Sequence, residues 1–290
     1  MKLSYRIKTA TAATLGAAAL SLLPAANVQA EQCPLVPPES TNAASYYMQD
    51  FFRNGKFDDL EKEIAKVNRK TASTDGGDLL MSRYIVDMLA VQEENLVNMW
   101  LDAYPKSFFS QVSAGIFYQN RAAIVYGGRP LSQVSKSNLK KAGQLNATAM
   151  EHLQKAMELD PHSAIPQSSL LGIARVEGKA LGKTTEQWLE AANQADPKNL
   201  DARINAVNYL SPRWGGSFEL LDKMADQAEK SLSAQAEHYL RYNIVIARAS
   251  HEEIIAKNKA KAYDLYKQAK GMCENSNAAQ EGMVRTYQKH

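Results

Sequence analysis

The sequence has little of what marks several common classes of protein. Only 2 cysteines occur in 290 residues, which excludes a small disulfide-dense domain. Walker, dinucleotide-binding and Gly-x-Ser-x-Gly motifs are missing. No two histidines stand at the spacing of metal ligands; they are His152, His162, His238, His251 and His290. The sequence therefore predicts no metal site, no cofactor and no catalytic residues.

One segment comes close to a zinc motif. His251-Glu252-Glu253 begins like His-Glu-x-x-His, but Ile255 stands where the second histidine is needed. Paired carboxylates such as Glu252-Glu253 are predicted at helix starts, where the helix dipole stabilises negative charge. These pairs therefore give no reason to predict acid–base catalysis.

An excess of one charge is also missing beyond the first residues. The formal charge of the chain is +3, and the basic residues Lys2, Arg6 and Lys8 lie near its beginning. Without residues 1–30, the chain has 31 basic and 31 acidic residues. This balance argues against a nucleic-acid partner, which would need a basic surface.

The longest apolar run, Thr9–Ala26, is too short for a membrane-spanning helix. Basic residues precede it and the small residues Val28 and Ala30 follow it, an order typical of a secretory signal peptide cleaved after Ala30. Cys33 follows Glu31-Gln32, where a lipoprotein would need small residues. The sequence thus predicts a periplasmic or secreted bacterial protein with no membrane span and no lipid anchor.

Alternating strand-type runs are absent from the sequence, and glycine and proline are sparse. A Pro-rich lead-in at residues 31–41 precedes a helical pattern that continues almost to the end. Breaks fall at signals such as Gly55 and Asp160-Pro161. We predict one all-α domain over residues 42–290, with about a dozen short helices.

A degenerate repeat recurs within these predicted helices. Its small and bulky positions have the spacing of the second helix of a tetratricopeptide unit, in which small residues let paired helices approach. The copies are Ala149-x3-Leu153-x2-Ala156, Thr185-x3-Leu189-x2-Ala192 and Ala262-x3-Tyr266-x2-Ala269. The pattern predicts a tetratricopeptide-like superhelix of stacked helix pairs.

Residues 211–217, Ser-Pro-Arg-Trp-Gly-Gly-Ser, differ from the rest of the chain. Gly215 and Gly216 permit a sharp reversal, and Ser217 can cap the next helix. Two interpretations of Arg213 and Trp214 remain open. In one they form a rigid corner, with Trp214 stacked on a helix and Arg213 bonded to helix-end carbonyls. In the other they anchor a partner or a glycan, since Trp and Arg dominate binding hot spots, and Gly215, Gly216 and Ser217 are predicted to belong to the same binding segment.

The run Pro-Arg-Trp-Gly-Gly-Ser at 212–217 resembles the signature of a bacterial family of domains of unknown function with a tetratricopeptide-like fold. The segments Phe57–Leu60, Trp100–Ser107 and Ala156–Pro161 fit the same resemblance, which spans about residues 45–230. The resemblance implies the fold. It assigns no catalytic role to any residue.

The two cysteines, Cys33 and Cys273, stand near opposite ends of the chain. An oxidising compartment would allow them to pair. In an elongated helical stack, however, the two ends would lie too far apart for a disulfide. A disulfide and two free thiols are both compatible with the sequence.

Together these features predict an exported, non-catalytic scaffold that binds a protein or peptide on a long concave surface. Two alternatives make different structural predictions. A carbohydrate- or peptidoglycan-active enzyme would have a cleft containing a buried glutamate of raised pKa. A structural, oligomeric envelope component would expose a self-complementary apolar patch.

Overall fold

The computed structural model describes residues 38–287 except 73, 75, 92 and 128–130. In this part the chain forms thirteen α-helices and no strand, which confirms the predicted all-α helical-repeat fold. The helices are α1 Pro38–Arg53, α2 Phe57–Thr71, α3 Gly77–Met88, α4 Glu94–Ala103, α5 Phe108–Tyr126, α6 Lys136–Leu159, α7 Ile165–Glu177, α8 Thr185–Ala195, α9 Asp201–Tyr209, α10 Phe218–Ala228, α11 Ala234–Ile254, α12 Lys259–Met272 and α13 Asn277–Thr286.

The first helix begins earlier than predicted. Helix α1 starts at Pro38, so residues 38–41 of the expected lead-in belong to a helix. Proline suits the first helical position because that residue needs no backbone N–H donor. The predicted signal peptide, residues 1–30, and the rest of the lead-in lie outside the described residues. None of the helices that the structure describes is both long and apolar enough to cross a membrane.

Local capping explains many of the helix starts. The hydroxyl of Ser107 accepts hydrogen bonds from the backbone N–H groups of Phe109 and Ser110 at the start of α5. Thr184 and Gln187 form a reciprocal capping box at the start of α8. Such caps satisfy N–H groups that have no partner within their own helix.

The positions of the repeat motif are all buried. Ala149, Leu153 and Ala156 of α6 have no solvent exposure. The corresponding residues of α8 and α12 are also buried: Thr185, Leu189, Ala192, Ala262, Tyr266 and Ala269. The spacing therefore marks the face that each of these helices turns toward its partner.

The odd-numbered helices form an inner layer, since each contacts the next odd-numbered helix along the chain. Helices α5 and α7 are buried on nearly all sides over residues 110–118 and 165–174. The even-numbered helix α2, in contrast, buries one stripe and leaves the opposite face in solvent.

The inner layer curves until α3 meets α9. Helices α3, α5, α7 and α9 therefore surround a common axis, and we call these four helices the ring. The Ser82 hydroxyl in α3 donates to the Asp201 carboxylate in α9 at 2.9 Å. Because α3 contacts α9, the row of odd-numbered helices closes on itself, and the long open concave surface that we expected is interrupted along these four helices.

Candidate functional site

The segment singled out in the sequence forms a tight corner between α9 and α10. Residues Pro212–Trp214 make one turn of 3-10 helix. The N–H of Trp214 donates to the Ser211 carbonyl at 2.9 Å, and the N–H of Gly216 donates to the same carbonyl at 3.2 Å. Ser217 then caps α10 by accepting from the N–H of Leu220 at 3.1 Å. The backbone of the corner is thus held by its own hydrogen bonds.

Both glycines of the corner are required by its geometry. Gly215 has φ +89°, a left-handed conformation that other residues rarely adopt. A Cβ at Gly216 would lie 1.9 Å from the carbonyl oxygen of Leu210. Gly215, Gly216 and Ser217, which we predicted as binding residues, therefore have a structural part in shaping the corner.

The corner presents Trp214 to solvent. Its side chain is 41% exposed, whereas Trp100 and Trp188 are buried. The guanidinium carbon of Arg175, from α7, lies 3.9 Å from the centre of the Trp214 ring, and that of Arg213 lies 5.1 Å from it. Such cation–π contacts hold the indole in place while leaving part of it accessible.

Arg213 does not bond to helix-end carbonyls in the way that the rigid-corner interpretation required. Within the described residues its guanidinium has no hydrogen-bond partner and lies over Trp214 instead. The indole does pack on a helix, through Arg175 of α7. The corner therefore combines a rigid backbone with an accessible Trp–Arg pair, and includes one feature of each interpretation.

Arg175 was not predicted as a site residue. Besides Trp214 it contacts Tyr209, whose ring centre lies 5.3 Å from its guanidinium carbon. Burial lowers the pKa of Arg175, and the Nε is enclosed with no hydrogen-bond partner. No local pattern could have identified it, because an arginine near a helix end usually faces solvent.

Beside Trp214 lies a groove of about 230 Å³ between the corner and α11, which we call the corner groove. Apolar side chains from α9 and α11 line this groove, among them Val207 and Ile246. Ile254 and Ile255 stand at one end and are 48% and 50% exposed. None of the lining residues is acidic: they are Ile204, Val207, Asn208, Ser211, Arg213, Trp214, Asn243, Ile246, Ala247, Ser250, His251, Ile254 and Ile255.

A second set of polar groups lies inside the ring. The Asp78 carboxylate of α3 accepts from the backbone N–H groups of Leu200 and Asp201, both at 2.8 Å, and so caps α9. Asp201 is fully enclosed, and burial together with the nearby charge of Asp78 raises its pKa to about 7. Burial also raises the pKa of Asp78.

A polar cleft of about 590 Å³ lies next to these groups and meets them at Asp78. Asp78, Asp160 and Asp196 line it. Each of these carboxylates accepts from a backbone N–H at a turn or helix start: Asp160 from His162 at 3.1 Å and Asp196 from Lys198 at 2.8 Å. The protein's own carboxylates thus occupy the positions where an anion would otherwise bind helix N-termini.

The segment His251-Glu252-Glu253 lies in the last turns of α11, so our prediction that Glu252-Glu253 starts a helix was wrong. The helix continues to Ile254 because the apolar pattern does not stop at Ser250. Salt bridges hold both carboxylates there, Glu252 with Lys261 at 2.6 Å and Glu253 with Arg285 at 2.9 Å. The described residues contain no cluster of three or more metal-ligating side chains.

Cys273 ends α12, is buried and is disulfide-bonded. Cys33, the other cysteine of the sequence, lies outside the described residues. The pairing of Cys33 with Cys273 stays a prediction. Burial of Cys273 among Tyr242, Ala269 and Ala279 makes it part of a small apolar cluster.

Comparison with known protein families identifies most of this architecture as one domain type. Residues 44–180 and 164–246 match the family model of DUF4034, a domain of unknown function. A search of curated proteins found no match to the chain. The matched residues extend from α1 into α11 and include the ring and the corner, which is more than half of the sequence. The chain belongs to the DUF4034 family of domains of unknown function.

Proposed function

We propose that this chain is an exported, non-catalytic helical-repeat protein that binds a protein or peptide in the bacterial envelope through the corner groove. The observation that supports this most is the partly exposed Trp214, held between guanidinium contacts at the rim of an apolar groove. Trp and Arg are enriched in binding hot spots, and hot spots sit in apolar pockets of this kind. The exposed Ile254 and Ile255 extend the same apolar surface.

The corner groove takes the place of the concave surface that tetratricopeptide-like proteins commonly present. In this chain α3 contacts α9, so the inner faces of the ring helices do not form the open concave surface of an extended superhelix. We therefore place the partner at the seam between α9 and α11, which has an exposed aromatic anchor. Export is proposed from the signal-like residues 1–30, and it would place this seam in the periplasm or the medium.

Binding rather than catalysis is proposed because the buried carboxylates of raised pKa already have structural tasks. Asp78 caps α9, and Asp201 accepts from Ser82 inside the ring. An acid–base catalyst needs a carboxyl group within hydrogen-bond reach of a substrate. Asp201 is fully enclosed and does not line the neighbouring cleft. Asp78 does line the cleft, but its carboxylate already accepts from two backbone N–H groups of α9.

The proposal can be tested by site-specific photocrosslinking in intact cells. A photoreactive residue is placed at Ile255, next to the corner groove, and a control at Ile124, which is 57% exposed on α5. We expect a partner crosslinked from position 255, identified by mass spectrometry, that disappears in the Trp214→Ala variant. Position 124 should not capture it.

Crosslinks that persist in Trp214→Ala, or that form equally from position 124, would contradict the proposed function. Capture of a second copy of the chain would instead favour the structural, oligomeric alternative. Light scattering of the purified protein distinguishes that case, because a self-associating patch gives a dimer or a larger species.

A further inference from the structure

Two arginines beside Trp214 have no acidic partner. Arg175 and Arg213 contact the same indole ring, and burial together with the positive charge of Arg213 lowers the pKa of Arg175. Within the described residues neither guanidinium has a carboxylate at ion-pair distance. In contrast, Arg121, which lies over Phe117, is paired with Glu94 at 3.2 Å. The corner therefore concentrates unbalanced positive charge.

The environment of Arg175 makes this lack of a partner costly. Its Nε is enclosed without a hydrogen-bond acceptor. Burial lowers its pKa, and the positive charge of Arg213 lowers it further. A buried, unpaired cationic donor is unfavourable in a folded protein. A negative charge bound at Arg213, which contacts the same indole ring and does line the groove, would offset the repulsion between the two guanidinium groups.

A polar group that lines the corner groove also lacks a hydrogen-bond partner. His251 lines the corner groove, and its Nδ1 is enclosed with no hydrogen-bond partner. Its ring packs edge-on against Phe218, with ring centres 5.4 Å apart. The groove is therefore lined mainly by apolar side chains and also contains a polar atom, the Nδ1 of His251, that has no hydrogen-bond partner.

We propose that the corner groove binds an acidic peptide segment. In this arrangement a carboxylate of the segment meets the guanidinium group of Arg213, which lines the groove beside Trp214. A neighbouring apolar side chain fills the space between Val207 and Ile246. Guanidinium–carboxylate hydrogen bonds are among the strongest in proteins and fix orientation as well as affinity. This inference rests on the proposed function and adds the chemistry of the partner.

A peptide fits the groove better than an acidic sugar does. The floor consists of aliphatic side chains from α9 and α11, which suit a leucine or isoleucine of a partner. The uncharged polar side chains of the lining are Asn208, Ser211, Asn243, Ser250 and His251. Ser211 and Asn243 already donate to backbone carbonyls, which leaves few groups to bind the hydroxyls of a sugar. The glycan remains as one outcome of the test.

The test measures the emission of Trp214 in the full chain during titration with blocked peptides. The probe is acetyl-Glu-Leu-Glu-Ile-Glu-amide, and the comparison peptide has glutamine at each glutamate position. We expect the acidic peptide to bind at least about tenfold more tightly, and to lose affinity with added salt. Arg213→Gln should remove this preference, Arg213→Lys should keep part of it, and the matched control Arg121→Gln should keep all of it.

Three results would overturn the inference. If both peptides bind equally and Arg213→Gln has no effect, the groove is not selective for acidic segments, while the proposed function stands. If oligogalacturonate binds and the peptides do not, the ligand is an acidic glycan. If no peptide changes the emission of Trp214 at millimolar concentration, acidic-segment binding fails, and photocrosslinking from position 255 shows separately whether partner binding fails with it.

Discussion

The ring and the C-terminal helices α11–α13 stabilise their helices in different ways. The ring belongs to one continuous core that contains large side chains, among them Trp100, Phe52 and Leu153. Helices α12 and α13, with part of α11, share two small clusters built mainly of alanine and tyrosine, whereas Ala236, Leu240 and Ile244 of α11 belong to the main core. Tyr266 is the largest member of one cluster, packed with Ala249 and Ala262.

The two regions also differ in where their charged side chains lie and in how these side chains are paired. Inside the ring, Asp201 is enclosed and receives hydrogen bonds from hydroxyl groups. In the C-terminal helices, charges lie at the surface and pair with one another, as Glu253 does with Arg285. Surface pairs contribute little to stability, whereas a buried carboxylate makes stability depend on pH. We therefore expect the ring to contribute more to the free energy of unfolding than the C-terminal helices, and its contribution to depend on pH.

The largest expected effect is the loss of a large side chain from the continuous core that includes the ring. Trp100 is fully buried and donates from its indole to Glu61 at 2.9 Å. We expect Trp100→Ala to lower the free energy of unfolding by about 3–5 kcal/mol. Urea denaturation followed by circular dichroism measures this. The matched control Trp214→Ala removes an exposed indole and should cost less than about 1 kcal/mol; equal losses would show that the main core is not what stabilises the fold.

The second expected effect is a pH dependence of the free energy of unfolding that arises from Asp201 in the ring. The pKa of Asp201 is raised to about 7 in the fold from 3.8. The stability that this group contributes is fully present below about pH 3.8 and is lost as the pH rises to about 7. We therefore expect Asp201→Asn to gain up to about 4 kcal/mol relative to the parent protein between pH 4 and pH 7.5. Urea denaturation at both pH values checks this, and a difference that is the same at both would contradict it.

A smaller effect is expected in the C-terminal helices. The Tyr266 hydroxyl donates to Glu253 at 2.7 Å, and burial raises the pKa of Tyr266 to about 12. Tyr266→Phe should cost about 1 kcal/mol. Hydrogen exchange should then increase in α12 and α13 but not in the ring. Tyr263→Phe, on the same helix, is the control; faster exchange in the ring of Tyr266→Phe would show that the two regions unfold together.

The smallest expected effect is a difference between iodide and caesium in how strongly they quench the emission of Trp214, which lies between the ring and the C-terminal helices. Trp214 is the exposed one of the chain's 3 tryptophans. Because Arg175 and Arg213 surround it with positive charge, iodide should quench its emission several-fold more than caesium at equal ionic strength. Arg213→Gln should reduce this ratio. Equal quenching by both ions would mean that the seam has no net positive field.

Much of the fold could be predicted from local sequence. Capping residues such as Ser107 and Ser217 mark helix starts, and the alanine-rich spacing marks the faces that pack. Tertiary contacts could not be predicted in this way. The cap of α9 comes from Asp78 of α3, and the partner of Trp214 comes from α7. The corner residues Arg213 and Trp214 were identifiable because they interrupt the helical pattern, whereas Arg175 and Asp201 lie within it.

The cap that Asp78 gives to α9 has a consequence for the order of folding. Its carboxylate binds N–H groups 122 and 123 residues further along the chain. During synthesis α3 therefore exists long before the helix it caps, and the ring cannot close until α9 has emerged. Contacts of such long range slow folding because the intervening chain must first be ordered. We therefore expect closure of the ring to be a late step of folding.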